Sequence, residues 1–228
     1  MPKTLYMKDL SPPARAVNMT IHLLGLEVEI KELNPVLRDQ DQPKFRKMNP
    51  MRTIPIYDEG DFSLADSHAI MIYLLETYGK PEHSYLYPMD KRKRATIHQR
   101  LFFDCGILFP RLRAIMAPTY AGRLTELTKY MKINIDDAYA MLEEYLSQNL
   151  FLADDHLTIA DLSAYTTTQS LNIVHPADGT RFPKVKKWLK TMSELDIVKK
   201  VNEPGGENHG NSLLLIMEVN KQNKKSKL

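Results

Sequence analysis

The chain has 228 residues, 43% hydrophobic and 26% charged, enough to bury the core of one domain or two small ones. Its formal charge of +3 is not gathered into a basic face with interleaved aromatics, which argues against nucleic-acid binding. No apolar run reaches membrane-spanning length, and the N-terminus lacks signal-peptide order, so a soluble cytoplasmic protein is expected, with no membrane partner.

The first eighty residues alternate short strands and helices. Lys3 to Met7 reads as a strand, and Ala14, Val17, Ile21 and Leu24 recur at helical spacing up to Gly25. Ser11-Pro12-Pro13 therefore lies on a strand-to-helix turn, with proline in the first helical turn, where it is tolerated. Two readings stand for Ser11. It caps the helix, or its hydroxyl, beside a helix N-terminus, steadies an anion such as a thiolate. Val28 to Leu33 follows as a strand, then a helix near Gln42 to Met48, strands at Thr53 to Tyr57 and Phe62 to Leu64 around Gly60, and a helix over Ser67 to Tyr78.

Gly79 to Pro88 breaks the pattern and reads as a linker. Ile97, Leu101, Cys105, Leu108, Leu112 and Ile115 then trace one face of a long helix, so Cys105 is expected to be a buried, inert thiol. As the single cysteine it excludes an intrachain disulfide and fits a reducing compartment. Pro110 is expected to kink this helix near Phe109. Further helices run through Ile135 to Tyr145 and Val185 to Met192. Thr158-Ile159-Ala160-Asp161 reads as a capping box with Leu157 and Leu162 as its staple, a folding device. His22, His83, His98, His156, His175 and His209 show no metal-binding spacing, and no metal is expected. Gly205-Gly206 reads as a flexible joint before a lysine-rich polar tail. The domains expected are 1–80, a linker at 81–90, a helical unit at 91–202 and a tail at 203–228. Ser226-Lys227-Leu228 matches a peroxisomal address, which leaves import into that compartment open.

Ser-Pro-Pro-Ala-Arg from Ser11, Thr53-Ile54-Pro55-Ile56, Asp66-Ser67-His68-Ala69-Ile70 and Gln99 to Asp104 with Leu108-Phe109, in this order, resemble the insect cytosolic glutathione transferases. The delta/epsilon group is the nearer one, epsilon more than delta. The resemblance implies an α/β thioredoxin-like N-terminal domain, an all-α helical domain and a homodimer. It implies conjugation of the glutathione thiolate to hydrophobic electrophiles, xenobiotic or endogenous, with glutathione as co-substrate. Ser11 would stabilise the thiolate, while Gln40, Arg52, Thr53, Ile54, Pro55, Asp66, Ser67 and His68 would hold the tripeptide. Ile54-Pro55 would be a cis peptide presenting the Ile54 backbone. Asp66 would meet the γ-glutamyl ammonium and Ser67 its carboxylate. Pro13, Phe109, Arg113, Met116 and Tyr120 would wall the electrophile site.

The chain departs from the family at Met51 and Arg52, where glutamine and histidine are usual. Arginine is able to replace the lost contact to the glycyl carboxylate. A steroid-handling branch is similar around Ser11 and Phe103 to Phe109, but its acidic residue after Phe109 is missing, since Arg111, Leu112 and Arg113 stand there. General electrophile detoxification is thus the expected role. A non-catalytic carrier of glutathione or hydrophobic ligands is the alternative.

Overall fold

The computed structural model describes residues 2–226. The N-terminal unit holds strands β1 (Thr4–Met7), β2 (Glu29–Glu32), β3 (Ile56–Asp58) and β4 (Ser63–Ala65) in the order β2-β1-β3-β4. β2 runs parallel to β1, which requires the crossover helix α1 (Pro12–Leu23), while β3 and β4 are antiparallel additions. Alternation along β1 explains the layers. Leu5 and Met7 enter the main core, whereas Tyr6 points to the other face and meets Phe45 of α2 (Pro43–Met48) edge-on. Helix α3 (Ser67–Tyr78) packs beside α1, completing the thioredoxin-like arrangement.

The helical unit comprises α4 (Lys91–Phe103), α5 (Phe109–Tyr120), α6 (Lys129–Tyr145), α7 (Ile159–Val174), α8 (Pro183–Glu194) and α9 (Glu203–Lys225). α7 is buried along nearly its whole length and packs against α1, α4 and α9, so it joins the two units. Its capping box forms as expected: Asp161 accepts hydrogen bonds from the Thr158 N–H at 3.0 Å and hydroxyl at 2.9 Å.

Two expectations are corrected. The first concerns Cys105, which is exposed. Pro110 has no N–H to continue the α ladder, and the chain answers with a π turn over Asp104–Leu108, in which Phe109 N–H donates to the Asp104 carbonyl. The wider turn shifts the helical phase and rotates Cys105 out of the row that buries Leu101, Leu108 and Leu112.

The second correction concerns 203–228. Its described part is no tail but α9, and Gly205-Gly206 is no joint. A Cβ on Gly205 would lie 2.2 Å from the Asp9 carbonyl oxygen, and one on Gly210 would lie 2.6 Å from Ile173. The glycines let α9 close onto α7 and onto the turn before Ser11. Leu213 and Met217 then enter the core, and Asn220 Nδ2 donates to the carbonyls of Thr119 and Leu124 at 2.9 Å. Gly205→Ala cannot relax against a backbone oxygen, so it is expected to cost roughly 1–3 kcal/mol of stability, read as a lower urea midpoint. An unchanged midpoint would refute this packing. Lys227 and Leu228, and with them the Ser-Lys-Leu ending, lie outside the described residues.

His209 of α9 is fully buried with Nδ1 2.9 Å from the Ser170 hydroxyl. Burial, aided by the Arg15 charge, pushes its pKa down to about 3. The unfolded chain takes up this proton near pH 6.5 while the fold resists it, so the stability is present above 6.5 and lost as pH falls towards 3. Between pH 7.5 and 5.5 this group should remove about 1.4 kcal/mol, a slope that His209→Gln abolishes in denaturant unfolding. Equal slopes in the two proteins would contradict it.

Candidate functional site

Ser11 is the N-cap of α1 and half-buried. Its N–H donates to the Lys8 carbonyl at 2.8 Å and its own carbonyl accepts from Arg15 N–H at 3.1 Å. The hydroxyl, however, accepts no capping bond. The next two residues contribute to this, although the N–H of Ala14, the third helical residue, also makes no bond to the Ser11 side chain. A cap side chain usually receives the N–H of the second or third helical residue, and Pro13, the second, has none. Pro12 and Pro13 also strip two donors from the helix start, so an anion there depends on the Ser11 hydroxyl more than on backbone N–H groups.

The turn is held from behind by Arg15, which is 1% exposed. Its guanidinium donates to the Asp9 carbonyl at 2.7 Å and to Asn202 Oδ1 at 2.8 Å, tying the Ser11 turn to the segment that leads into α9. Burial lowers its pKa to about 10, against the pull of Asp9 and Glu203, and it remains charged at neutral pH.

Asp66 caps α3 with φ 74°, its Oδ1 accepting from the N–H groups of His68 and Ala69 at 2.9 and 3.1 Å. Oδ2 takes no hydrogen bond among the described residues, leaving it available to a cationic ligand. Ser67, the first helical residue, is buried beside it. His68 bridges the domains: Nδ1 lies 3.2 Å from Asp66 and Nε2 3.2 Å from Asp104, whose Oδ2 also receives the Ser163 hydroxyl. Burial opposes its charge, but Asp104 and Asp66 prevail and raise the imidazole pKa to about 9. Burial likewise opposes ionisation of Asp66, and His68 with the cap N–H groups more than reverses it, lowering that carboxyl.

Ile54–Pro55 is cis. The loop before it is shaped by Asn49, 1% exposed, whose Nδ2 donates to the Thr53 carbonyl at 2.9 Å and hydroxyl at 3.1 Å, and whose Oδ1 accepts from Met51 N–H at 3.0 Å. Arg52 is exposed, at φ 54°, with Nη1 3.7 Å from Asp41. Gln40 nearby in sequence carries a buried Oε1 without a partner among the described residues. Asp104, Ser163, Arg15 and Asn202 escape a reading of the sequence because their partners lie far off in the chain, whereas Asn49 acts on Met51 and Thr53 within its own loop, a local turn signal that the sequence carries.

On α5, Phe109, Arg113, Met116 and Tyr120 form one half-open stripe beside the buried Leu112, Ile115 and Thr119. Phe109 and Met116 are half-buried against the core, Arg113 and Tyr120 are exposed, and Pro13 is half-buried in the first turn of α1. A surface cavity of about 620 Å³ between the end of α1 and β2 shares no residue with these groups.

Two family models match the chain: Glutathione S-transferase, N-terminal domain, over residues 5–82, and Glutathione S-transferase, C-terminal domain, over residues 68–196. The chain belongs to the glutathione S-transferase family. Glutathione S-transferase 1 of Manduca sexta is 38% identical over 209 residues, covering 91% of this chain and 95% of the relative. The epsilon-class enzyme of the housefly, Musca domestica, superposes with a TM-score of 0.90 at 36% identity over 94% of this chain and 98% of its own. A glutathione transferase homologue from Drosophila mojavensis, solved with bound glutathione, gives 0.87 at 34% identity over 93% and 96%. This chain is thus a glutathione-conjugating transferase of the insect epsilon/delta kind, built on the two-domain fold that its sequence implies. Among the described residues of the transferase, no helix is long and apolar enough to cross a membrane.

Proposed function

We propose that the transferase attacks hydrophobic electrophiles with a glutathione thiolate steadied by the Ser11 hydroxyl. The observation that carries this reading is the Ser11 hydroxyl at the α1 N-cap, which accepts no capping bond. A free thiol has a pKa of about 8.5, so only a few per cent is ionised at neutral pH without help. A hydrogen bond donated to the charged form lowers that value. The thiolate forms the carbon–sulfur bond, and the electrophile expels its leaving group or takes up a proton. Serine is a donor throughout and not the nucleophile.

Asp66 Oδ2 faces the γ-glutamyl ammonium, and Ser67 its carboxylate, at the start of α3. The Ile54 backbone, shaped by Pro55 and Thr53, pairs with the cysteinyl unit. Arg52 meets the glycyl carboxylate, assisted by Gln40 through its side-chain NH₂ donor. His68 positions Asp66 from the domain junction. The α5 stripe of Phe109, Arg113, Met116 and Tyr120, with Pro13, receives an apolar electrophile in general detoxification. The enzyme works as a cytoplasmic homodimer, a reading supported by the family, and for the dimer also by the exposed Met89 just before α4 and Phe102 within it.

Product formation from glutathione and an activated aryl halide tests the proposal. Saturable turnover is expected, with Asp66→Asn raising the glutathione KM about 10-fold or more through loss of a charge-assisted contact worth roughly 1.5–3 kcal/mol. Glutathione binding without product would establish the carrier instead, a reading motivated by Met51 and by the tie of Arg52 to Asp41.

A further inference from the structure

The π turn that exposes Cys105 sets it beside two residues of the N-terminal domain. One carboxylate oxygen of Asp66, one ring nitrogen of His68 and the Cys105 sulfur lie within 4.8 Å of one another. Asp66 and His68 stand at the start of α3, as its N-cap and second residue, and Cys105 in the π turn, so the cluster exists only where the domains meet.

The surroundings of His68 are those of a metal ligand. Its Nε2 is fixed at 3.2 Å by Asp104 Oδ2, and the Ser163 hydroxyl braces the same oxygen. A histidine whose far nitrogen is held by a carboxylate offers its near nitrogen in a fixed tautomer and direction, the arrangement found behind metal-bound imidazoles. The other ring nitrogen, Nδ1, lies 3.2 Å from Asp66 Oδ1. Charge points the same way. Asp104 is 3% exposed, and its Oδ1 has no partner among the described residues, so two carboxylates and a thiol surround a single imidazole. One sulfur, one nitrogen and one oxygen ligand suit a borderline-soft ion such as zinc and disfavour magnesium or calcium.

We propose that Asp66, His68 and Cys105 form a three-ligand site for a zinc-like divalent cation, which competes with the glutathione ammonium for Asp66. The site itself stands on geometry alone, and the competition rests on the proposed role of Asp66 in glutathione binding. On coordination, the Cys105 thiol and His68 Nδ1 each release a proton to solvent and supply an electron pair, Asp66 binds as the carboxylate, and water completes a tetrahedron. Nothing is oxidised or reduced.

Co²⁺ added to the full-length protein is the probe, because a cobalt–thiolate bond absorbs in the near ultraviolet and Cys105 is the single cysteine. The expected result is one equivalent of cobalt with the charge-transfer band, loss of that band in Cys105→Ser, and zinc affinity in the variant lower by about tenfold or more. Metal-free conjugation by Cys105→Ser should be unchanged. Saturating S-methylglutathione, which carries no free thiol, should displace the cobalt. Absence of the band in the natural protein, or equal zinc affinity in Cys105→Ser, would overturn the site. Cobalt that stays while S-methylglutathione binds would overturn the competition. Failure of S-methylglutathione to bind at all would count against the proposed glutathione site, and the band would still decide the metal site.

Discussion

Replacing Ser11 by alanine is expected to lower kcat/KM for conjugation about 10- to 150-fold, the worth of one hydrogen bond to a charged group at roughly 1.5–3 kcal/mol. Glutathione affinity should change little, because the hydroxyl favours the thiolate over the thiol and leaves the contacts along the rest of the tripeptide in place. The structure sharpens this expectation. Where an N-cap hydroxyl is engaged in capping, its removal also weakens the helix by about 1 kcal/mol. Here the cap bond is absent, so Ser11→Ala should leave the urea midpoint nearly unchanged while activity falls. A variant that lost stability and activity together would show Ser11 to be a cap after all.

The largest loss of stability is expected at Asp161. Its side chain is wholly buried and accepts four hydrogen bonds: Leu152 N–H at 2.8 Å, Trp188 Nε1–H at 3.1 Å, and the N–H and hydroxyl of Thr158. Burial pushes its carboxyl up to about 6, against the pull of those donors, so the ionised form is the one they hold at neutral pH. Asp161→Ala leaves the donors unpaired in a dry interior and should cost roughly 3–5 kcal/mol, comparable with the loss from breaking a buried charged pair. That is a large share of the 5–15 kcal/mol typical of a domain, so the variant should unfold at much lower urea or accumulate as aggregate. Asp161→Asn should also be damaging, since its NH₂ meets donors where an acceptor is needed. Near-normal unfolding of either variant would show that this network contributes little.

Local patterns in the chain carried most of the fold. Helix α3 begins and ends where its apolar spacing places it, and three strands differ from their expected limits only at the ends, while the strand expected over Thr53 to Tyr57 starts only at Ile56, after the cis Ile54–Pro55 bond. What escaped had a tertiary cause. Glycine is a helix breaker by intrinsic preference, and nothing local shows that Gly205 and Gly210 lie where a Cβ would strike Asp9 or Ile173. Regular 3.6-residue spacing put Cys105 in the core row, and a single π turn was enough to remove it. In the site, the residues that touch glutathione in the proposal were readable from the family pattern. Asp104 with Ser163, which hold His68 in place, became visible only when distant segments met, while Asn49 behind Thr53 is a local loop contact without a family motif to mark it.

The most direct measurement is the ultraviolet absorbance of the glutathione thiolate bound to the enzyme, titrated with pH beside the Ser11→Ala variant. The natural protein is expected to show a midpoint below that of free glutathione, and the variant a midpoint higher than that by about one to two pH units. Identical midpoints in the two proteins would contradict the role assigned to Ser11.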